Sequence, residues 1–304
     1  DPTPEDGVVR KYDFAYLNTT ITDDFNNSAF FDWNNSLLGY WNFEYTNSTG
    51  VFDNSSYDRF GIFQENSSQD NITTGKYGNA INFEHELGDF IRVNRTSDIT
   101  PESFTIDFWV NLNGRTGDLQ VLVDKTYDND QSSPYSSFEV GYDRNDNDKI
   151  EFFLGRSGGY DLYTTNTGLI QENVWNHIAC TFDDQEDNAS IYVNGEIENT
   201  STHTSSVIYD TTSTGNLYFG EGPGSKYNLN GTMDEIKIFS RALSPEEINA
   251  SYNNGLYRLE NNFTGLEEGT YDYIAWAIDS DGNINTSSRN VTYNNDFEPP
   301  KYWD

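Results

Sequence analysis

Residues 231–248 read Gly-Thr-Met-Asp-Glu-Ile-Lys-Ile-Phe-Ser-Arg-Ala-Leu-Ser-Pro-Glu-Glu-Ile and lead into the one stretch with a helix signature. Ser244 suits the N-cap, Pro245 suits the first helical position, and Glu247 completes a capping box. Gly255 is placed to end the helix. We therefore expect one short helix here and antiparallel β-structure in the rest of the chain.

Short runs of alternating apolar and polar residues recur along the sequence, with turn signals between them. The clearest runs cover residues 104–110, 149–154, 190–193 and 216–220. Asn113-Gly114, Asn194-Gly195 and Asp281-Gly282 are pairs typical of tight hairpin turns. This spacing predicts an all-β fold, most simply a two-sheet sandwich.

The composition combines a modest apolar content of 35% with a high aromatic content of 15%. Large aromatic side chains can build a core from few residues. This excludes a disordered acidic tail, which would be poor in aromatics. Cys180 is the single cysteine, so no disulfide framework exists, and its apolar context predicts a small core hydrophobe.

The formal net charge of −33 is the second extreme of the composition. Such a field repels nucleic acid and anionic lipid, since phosphate binding needs clusters of Lys and Arg. No stretch approaches 18 apolar residues, so we expect no direct membrane insertion. The charge suits solubility in high salt, calcium loading, or both, and a halophilic composition would explain it without any function.

Six sequence blocks, in order, resemble laminin-G-like, concanavalin-A-like jelly rolls. They cover residues 40–44, 75–83, 103–110, 174–179, 191–195 and 231–248, and the last is the most specific. The resemblance implies a concanavalin-A-like jelly-roll sandwich over residues 37–254. Carbohydrate binding is the usual role of such a sandwich, so the resemblance also implies possible carbohydrate binding by this chain.

The flanks resemble something else. Residues 269–283 and 288–293 are similar to the last two strands of an immunoglobulin-like domain of repetitive prokaryotic surface proteins, archaeal ones in particular. Two strands cannot bury a face alone, so the N-terminal segment has to supply partners. We therefore expect a smaller, split immunoglobulin-like β-sandwich of residues 1–36 and 255–297, with residues 298–304 as a linker or tail. The alternative is a plain N-terminal extension and a partial C-terminal domain.

Fifteen Asn-x-Ser/Thr sequons occur, against about 6 to 8 expected by chance on the same motif definition. Their asparagines are Asn18, Asn26, Asn34, Asn47, Asn54, Asn66, Asn71, Asn94, Asn188, Asn199, Asn230, Asn249, Asn262, Asn285 and Asn290. The excess indicates an extracellular, cell-surface glycoprotein. The alternative is an Asn- and Thr-rich loop composition without sugar.

Structural calcium is the cofactor that this acidic, loop-rich chain favours, because calcium takes six to eight oxygen ligands. Three sets of candidate ligands stand out: Asp279, Asp281 and Asn283; Asp143, Asn145 and Asn147; and Glu44, Asp53 and Asp234. The third set rests on the resemblance, since jelly-roll relatives often hold an ion between their terminal strands. For each set, a solvated turn is the alternative.

No catalytic residue is expected. The Glu-x-Asp-x-x-Glu string of the β-glucanase relatives is absent, and Gly155-Arg-Ser-Gly-Gly159 lies between two strands without the helix that a nucleophile elbow needs. Sugars stack on exposed aromatics, and the candidates in loop-like contexts are Tyr127, Tyr135, Tyr160, Tyr163 and Tyr227.

The sequence therefore predicts a non-enzymatic extracellular glycoprotein module of a cell-surface layer, filament or adhesin. Its expected partners are other copies or modules of a surface assembly, or a carbohydrate, and not nucleic acid. The alternative is a carbohydrate-binding module of a secreted glycan-degrading enzyme.

Overall fold

The computed structural model describes residues 3–21, 27–94, 99–114, 119–127, 133–143, 148–203, 206–209, 215–221, 227–253 and 258–294. The strands, in chain order, are β1 (Val8–Arg10), β2 (Phe14–Thr20), β3 (Asn27–Trp33), β4 (Leu37–Trp41), β5 (Thr46–Asn47), β6 (Gly50–Val51), β7 (Gly61–Gln64), β8 (Ile72–Thr74), β9 (Asn79–Phe83), β10 (Phe90–Val93), β11 (Phe104–Leu112), β12 (Leu119–Thr126), β13 (Ser136–Asp143), β14 (Lys149–Arg156), β15 (Gly159–Thr164), β16 (Trp175–Asp183), β17 (Asn188–Val193), β18 (Glu196–Thr202), β19 (Leu217–Phe219), β20 (Gly231–Phe239), β21 (Arg258–Thr264), β22 (Gly269–Asp279) and β23 (Ile284–Tyr293). Helix α1 spans Pro245–Tyr252, and two 3-10 turns span Gln69–Asn71 and His85–Leu87.

Two large sheets form the jelly roll. One has nine strands in the order β15-β14-β13-β12-β19-β10-β7-β6-β5. The other has eight, in the order β18-β17-β16-β11-β20-β9-β8, with β4 also paired to β20. Their inner faces meet in one apolar cluster, which includes Phe108, Phe152 and Cys180. The predictions of an all-β jelly roll and of a buried Cys180 are confirmed.

A smaller sandwich is built from strands at both ends of the chain. One sheet has the order β1-β23-β22-β3, and strands β2 and β21 pair as a second sheet. Leu17, Phe31, Trp33, Tyr273 and Val291 are buried together between these two sheets. The N-terminal strands therefore do pair with the C-terminal strands, and the two segments share one core.

Strand β3 is buried along its whole length and serves two cores at once. Successive side chains of a strand point to opposite faces. Phe31 and Trp33 enter the core of the small sandwich, while Phe30 packs on the other side against Tyr40 and Phe239 of the jelly roll. The small sandwich consequently covers the part of the outer face of the eight-stranded sheet that holds Tyr40 and Phe239.

Helix α1 begins and is capped as the sequence predicts. The Ser244 hydroxyl accepts a hydrogen bond from the Glu247 amide, and the Glu247 carboxylate accepts one from the Ser244 amide at 3.1 Å. The helix ends at Tyr252, and Gly255 lies outside the described residues. Within the described part of the chain, no helix has the length and hydropathy to cross a bilayer.

We expect Phe30→Ala to lower the free energy of unfolding by about 3–5 kcal/mol, the usual loss for a buried aromatic. The Phe30 ring stacks on Trp276 with centroids 5.7 Å apart and meets Tyr40 edge-on at 5.4 Å. Phe14, which is exposed on β2, is the matched control, and Phe14→Ala should cost under about 1 kcal/mol. Chemical denaturation measures both. Equal losses would show that Phe30 does not join the two cores.

Candidate functional site

The outer face of the nine-stranded sheet carries a continuous row of side chains. The strand registers place seven residues opposite one another in turn: Ile62, Arg92, Tyr218, Asp124, Glu139, Phe153 and Leu162. Directly opposite residues share a face of the sheet, and the core-facing residues alternate with them. The row is therefore polar and charged in its middle and apolar at both ends.

The apolar end at β14 and β15 is an exposed patch. The Tyr160 ring stacks on Phe153 with centroids 4.4 Å apart and planes 26° apart. The exposed fractions are 51% for Tyr160 and 47% for Leu162, although both lie in a regular strand. An exposed aromatic stack beside carboxylates is the kind of surface on which a sugar ring can rest, with its hydroxyl groups directed at the polar row.

The structure brings together three of the five tyrosines that the sequence singles out. The Tyr127 amide donates a hydrogen bond to the Tyr135 carbonyl at 2.6 Å, beyond the paired ends of β12 and β13. Pro134, next to Tyr135, lies at 2.8 Å from the position of a Cβ on Gly155, whose register partner is Tyr160. Tyr127 and Tyr135 therefore border the patch that contains Tyr160.

The other two tyrosines lie elsewhere. Tyr163 faces the core side of the sheet, opposite Phe152, and its hydroxyl contacts His203 Nδ1 at 2.7 Å. Burial and the Asp161 carboxylate raise the pKa of Tyr163 to about 12, against the influence of Arg156. Tyr227 is exposed beside the opposite end of β12, where its carbonyl accepts a hydrogen bond from Val121. Neither contributes to the patch.

The sequence reasoning missed Phe153 and Leu162. Each falls within an apolar run and reads as core. The signal that could have identified them is the register of the hairpin around residues 156–159, since Phe153 and Leu162 pair across it on the same face as Tyr160.

A second constellation, also missed, is a charged network buried between the eight-stranded sheet and the small sandwich. The Asp107 carboxylate lies 3.0 Å from Lys237 Nζ and 3.0 Å from His177 Nε2, and it accepts a hydrogen bond from the Ser251 hydroxyl at 3.0 Å. Lys237 Nζ also lies 3.7 Å from the Glu235 carboxylate. All these side chains are buried, so the network holds helix α1 and three strands together.

The pKa values within this network follow from burial and charge. Burial alone would raise the pKa of Asp107, but Lys237 and His177 lower it below its usual value. Burial raises the pKa of Glu235 to about 7, although Lys237 and the hydroxyl of Tyr40 oppose the rise. Burial and the neighbouring Glu235 raise the pKa of Asp234 as well.

We expect the network to make stability depend on pH through Glu235. Its pKa is higher in the folded chain than the unfolded value of 4.5, so the folded state binds the proton more tightly. The stability that this proton contributes is present below about pH 4.5 and is lost as pH rises to about 7. Relative to the native chain, Glu235→Gln should therefore gain about 1–2 kcal/mol of unfolding free energy between pH 5 and pH 7.5.

The measurement is denaturant unfolding of both proteins at the two pH values, at one fixed high ionic strength. Taking the difference between the two proteins removes the titration of the remaining acids. Glu246→Gln, on the exposed first turn of α1, is the matched control and should leave the difference near zero. Parallel pH profiles for native and Glu235→Gln protein would contradict the assignment.

The structure places Glu44, from one candidate calcium set, beside the turn that contains Asp279, from another. The Glu44 carboxylate accepts hydrogen bonds from the backbone amide and the side-chain amide of Asn79. A Cβ on Gly282, in the turn that holds Asp279, would collide with this carboxylate. Burial raises the pKa of Glu44, Asn79 opposes the rise, and the charge of Asp279 adds to it. The β22–β23 turn therefore docks on the jelly roll at Glu44.

The oxygens of these carboxylates are engaged by N–H and O–H donors. Asp279 accepts hydrogen bonds from the amides of Asp281 and Asn283 and from the Asn283 side chain. Asp53 accepts from the amides of Tyr40 and Arg59, among others. In the structure these hydrogen bonds cap the turns that contain Asp53 and Asp279.

Asp234 is used in the same way. Its carboxylate accepts hydrogen bonds from the backbone amides of Lys76, Tyr77 and Glu235. Asp143 ends β13, while Asn145 and Asn147 lie outside the described residues. No group of three or more His, Cys, Asp or Glu suited to a metal occurs among the residues that the structure describes. Calcium stays a prediction.

The sequon asparagines differ in how their amides are used. None of the fourteen that lie among the described residues is fully buried, and Asn26 lies outside that part of the chain. The side-chain amide of Asn71 donates to the Asn82 carbonyl and to Asp89. Asn47, in contrast, lies at the β5–β6 turn, and its side-chain hydrogen bonds to the described residues are all accepted by its side-chain oxygen. Glycosylation itself stays a prediction.

Residues 85–249 match the family described as the Concanavalin A-like lectin/glucanases superfamily, in its laminin-G form. Because this match covers more than half of the chain, the chain belongs to that family. No curated protein sequence is significantly similar to the chain.

Solved structures share the fold at low sequence identity. Domain 4 of AbnA, a GH43 extracellular arabinanase from Geobacillus stearothermophilus in complex with arabinotriose, is 17% identical, with a TM-score of 0.54 over 72% of this chain and 98% of that domain. The binding domain of botulinum neurotoxin DC in complex with rat synaptotagmin II is 16% identical, with a TM-score of 0.55 over 72% and 52%. Trypanosoma rangeli sialidase is 17% identical, with a TM-score of 0.51 over 71% and 32%. The chain thus spans about half of the neurotoxin binding domain and a third of the sialidase.

Proposed function

We propose that this chain is a non-enzymatic extracellular glycoprotein module that binds carbohydrate through the exposed patch of Phe153, Tyr160 and Leu162. The observation that carries the proposal is the aromatic stack of Tyr160 on Phe153, which stands in the open at the end of a polar row. A sugar has an apolar face and a polar rim, and this surface offers a partner for each.

The neighbouring folds support this assignment. Domain 4 of the arabinanase is a whole domain of this shape in complex with arabinotriose, and the neurotoxin binding domain is in complex with rat synaptotagmin II. Domains of this fold therefore occur in complexes with a sugar and with a protein. Fold alone does not assign function, so the proposal rests on the patch.

The middle of the row favours binding over catalysis. Asp124 and Glu139 are carboxylates directly opposite each other, as a glycosidase pair would have to be. Asp124, however, is fully buried, so a substrate cannot reach both groups. The burial of Asp124 supports the proposal that the chain binds carbohydrate without hydrolysing it.

The small sandwich supports a role in a surface layer, filament or adhesin. Strands β1 and β23 pair in parallel, with Val8 opposite Val291 and Arg10 opposite Tyr293. In a parallel pair, the chain enters at one end and leaves at the other. We propose that this sandwich is the split immunoglobulin-like domain of residues 1–36 and 255–297, that it joins modules head to tail, and that the jelly roll projects from its side.

The alternative function is a carbohydrate-binding module of a secreted glycan-degrading enzyme. The observation that favours it is the arabinanase domain, which is matched over 98% of its length. The preferred glycan separates the two: plant-type arabinan oligosaccharides would favour the enzyme module, and glycans of a cell surface would favour the surface module.

We expect Tyr160→Ala to weaken glycan binding about two- to tenfold, because loss of an aromatic stack removes about 0.5–1.5 kcal/mol. The probes are arabinotriose, with affinities measured by calorimetry, and a panel of immobilised cell-surface glycans, with affinities measured by surface plasmon resonance. Tyr227→Ala, at the other end of β12, is the matched control and should bind as the native chain does. If neither probe binds, or if the two variants weaken binding equally, the patch is not the site.

Structural calcium is the cofactor that we propose on the ground of charge. A cation that binds only the folded chain stabilises it by about 2.7 kcal/mol at a hundredfold excess over its Kd. We expect chelation to lower the melting midpoint at fixed high ionic strength, where monovalent salt already screens the acids. Asp279→Asn should abolish this response if the β22–β23 turn holds the ion. An unchanged midpoint on chelation would leave screening as the account of the −33 charge.

A further inference from the structure

Three hydrogen bonds fix the side-chain amide of Asn47 in the β5–β6 hairpin. The side-chain oxygen of Asn47 accepts hydrogen bonds from the Thr49 amide at 2.8 Å, the Thr49 hydroxyl at 2.7 Å and the Gly50 amide at 3.1 Å. Among the described residues, no hydrogen bond engages the Asn47 Nδ2 group. The amide plane is therefore fixed by its oxygen, while its nitrogen is left available.

Aromatic side chains lie on the same face of the hairpin as Asn47. Tyr45 precedes Asn47 by two positions and therefore shares its face. Phe52 lies directly opposite Tyr45, since its amide donates to the Tyr45 carbonyl at 2.9 Å, and Phe60 packs edge-on against Phe52 at 5.1 Å. Tyr45 is 59% exposed and Phe52 is 39% exposed, so the chain itself leaves both rings partly uncovered.

We propose that Asn47 carries an N-linked glycan whose first sugar packs on Tyr45 and Phe52 and stabilises the edge of the nine-stranded sheet. In the step that builds it, Nδ2 forms a bond to the anomeric carbon of a polyprenyl pyrophosphate-linked glycan. The bond from that carbon to the phosphate oxygen breaks, the lipid pyrophosphate leaves, and Nδ2 releases one proton to solvent. The inference rests on the extracellular part of the proposed function and specifies one site within it.

Position in the sheet gives this glycan a structural role. β5 is the last strand of the nine-stranded sheet, and no strand among the described residues pairs with its outer edge, which proteins normally cover or interrupt. A sugar over Tyr45 and Phe52 would cover apolar rings and would block that edge against pairing with another chain. The same face at the other edge of the sheet, around Tyr160, stays open.

Other sequons provide contrasts. Asn18 also follows a tyrosine by two positions, but its Nδ2 donates to Glu260 at 3.3 Å. The Nδ2 of Asn71 makes two hydrogen bonds, to Asn82 and to Asp89. Both asparagines should be modified less completely than Asn47 in the secreted protein.

The experiment uses the full chain secreted by a host that performs N-glycosylation, with glycopeptide mapping and thermal melts. Thr49→Ser keeps the sequon and the hydroxyl, whereas Thr49→Ala removes both. We expect sugar at Asn47 in the native chain and in Thr49→Ser, and none in Thr49→Ala. Tyr45→Ser should lower the melting midpoint by about 2–4 °C when Asn47 is glycosylated and by under about 1 °C in the Thr49→Ala background.

The two backgrounds share every other sequon, so the other glycans cancel, and they differ only in the side chain at position 49 and in the sugar at Asn47. Sugar on other sequons with a bare Asn47 would overturn the inference and leave the glycoprotein proposal standing. A bare chain would overturn both. Equal midpoint shifts for Tyr45→Ser in the two backgrounds would show that the sugar does not pack on the aromatic rings.

Discussion

The double burial of β3 is the constraint on which the rest of the structure depends. Every residue from Asn27 to Trp33 is buried, although the strand belongs to the small sandwich and only one of its faces enters that core. Its other face, led by Phe30, lies on the jelly roll. The two sandwiches are therefore joined through a buried interface between β3 and the eight-stranded sheet.

This buried interface contains charged side chains. Asp107 and Lys237 stand opposite each other on neighbouring strands of the eight-stranded sheet, a position that is normally wet on an outer face. Removing both from water is expensive, and the pair offsets this only when geometry and further hydrogen bonds are good. His177 and the Ser251 hydroxyl complete the shell of Asp107. Since Ser251 belongs to α1, the network also fixes where the helix lies.

The sequence predicts helix caps and turns, which depend on neighbouring residues. It does not predict which strand faces are buried by distant parts of the chain. The capping box at Ser244 and the Asn194-Gly195 turn, whose φ angles are 52° and 81°, depend only on residues within a few positions. The run of residues 104–110 predicts a strand, and the strand forms as β11 with Asp107 on its outer face. It cannot show that a strand over 70 residues away in sequence buries this face.

The same limit applies to the candidate calcium ligands. The resemblance to jelly rolls predicts Asp53 and Asp234 as metal ligands. Their hydrogen bonds to backbone amides depend on distant segments, since Lys76 and Tyr77 meet Asp234 only in the folded chain. The small sandwich covers the part of the outer face of the eight-stranded sheet that surrounds Phe30, whereas the outer face of the nine-stranded sheet carries the exposed stack of Tyr160 and Phe153. With a sugar at Asn47 over one edge of that face, the open aromatic surface that remains is the stack of Tyr160 on Phe153 at the other edge.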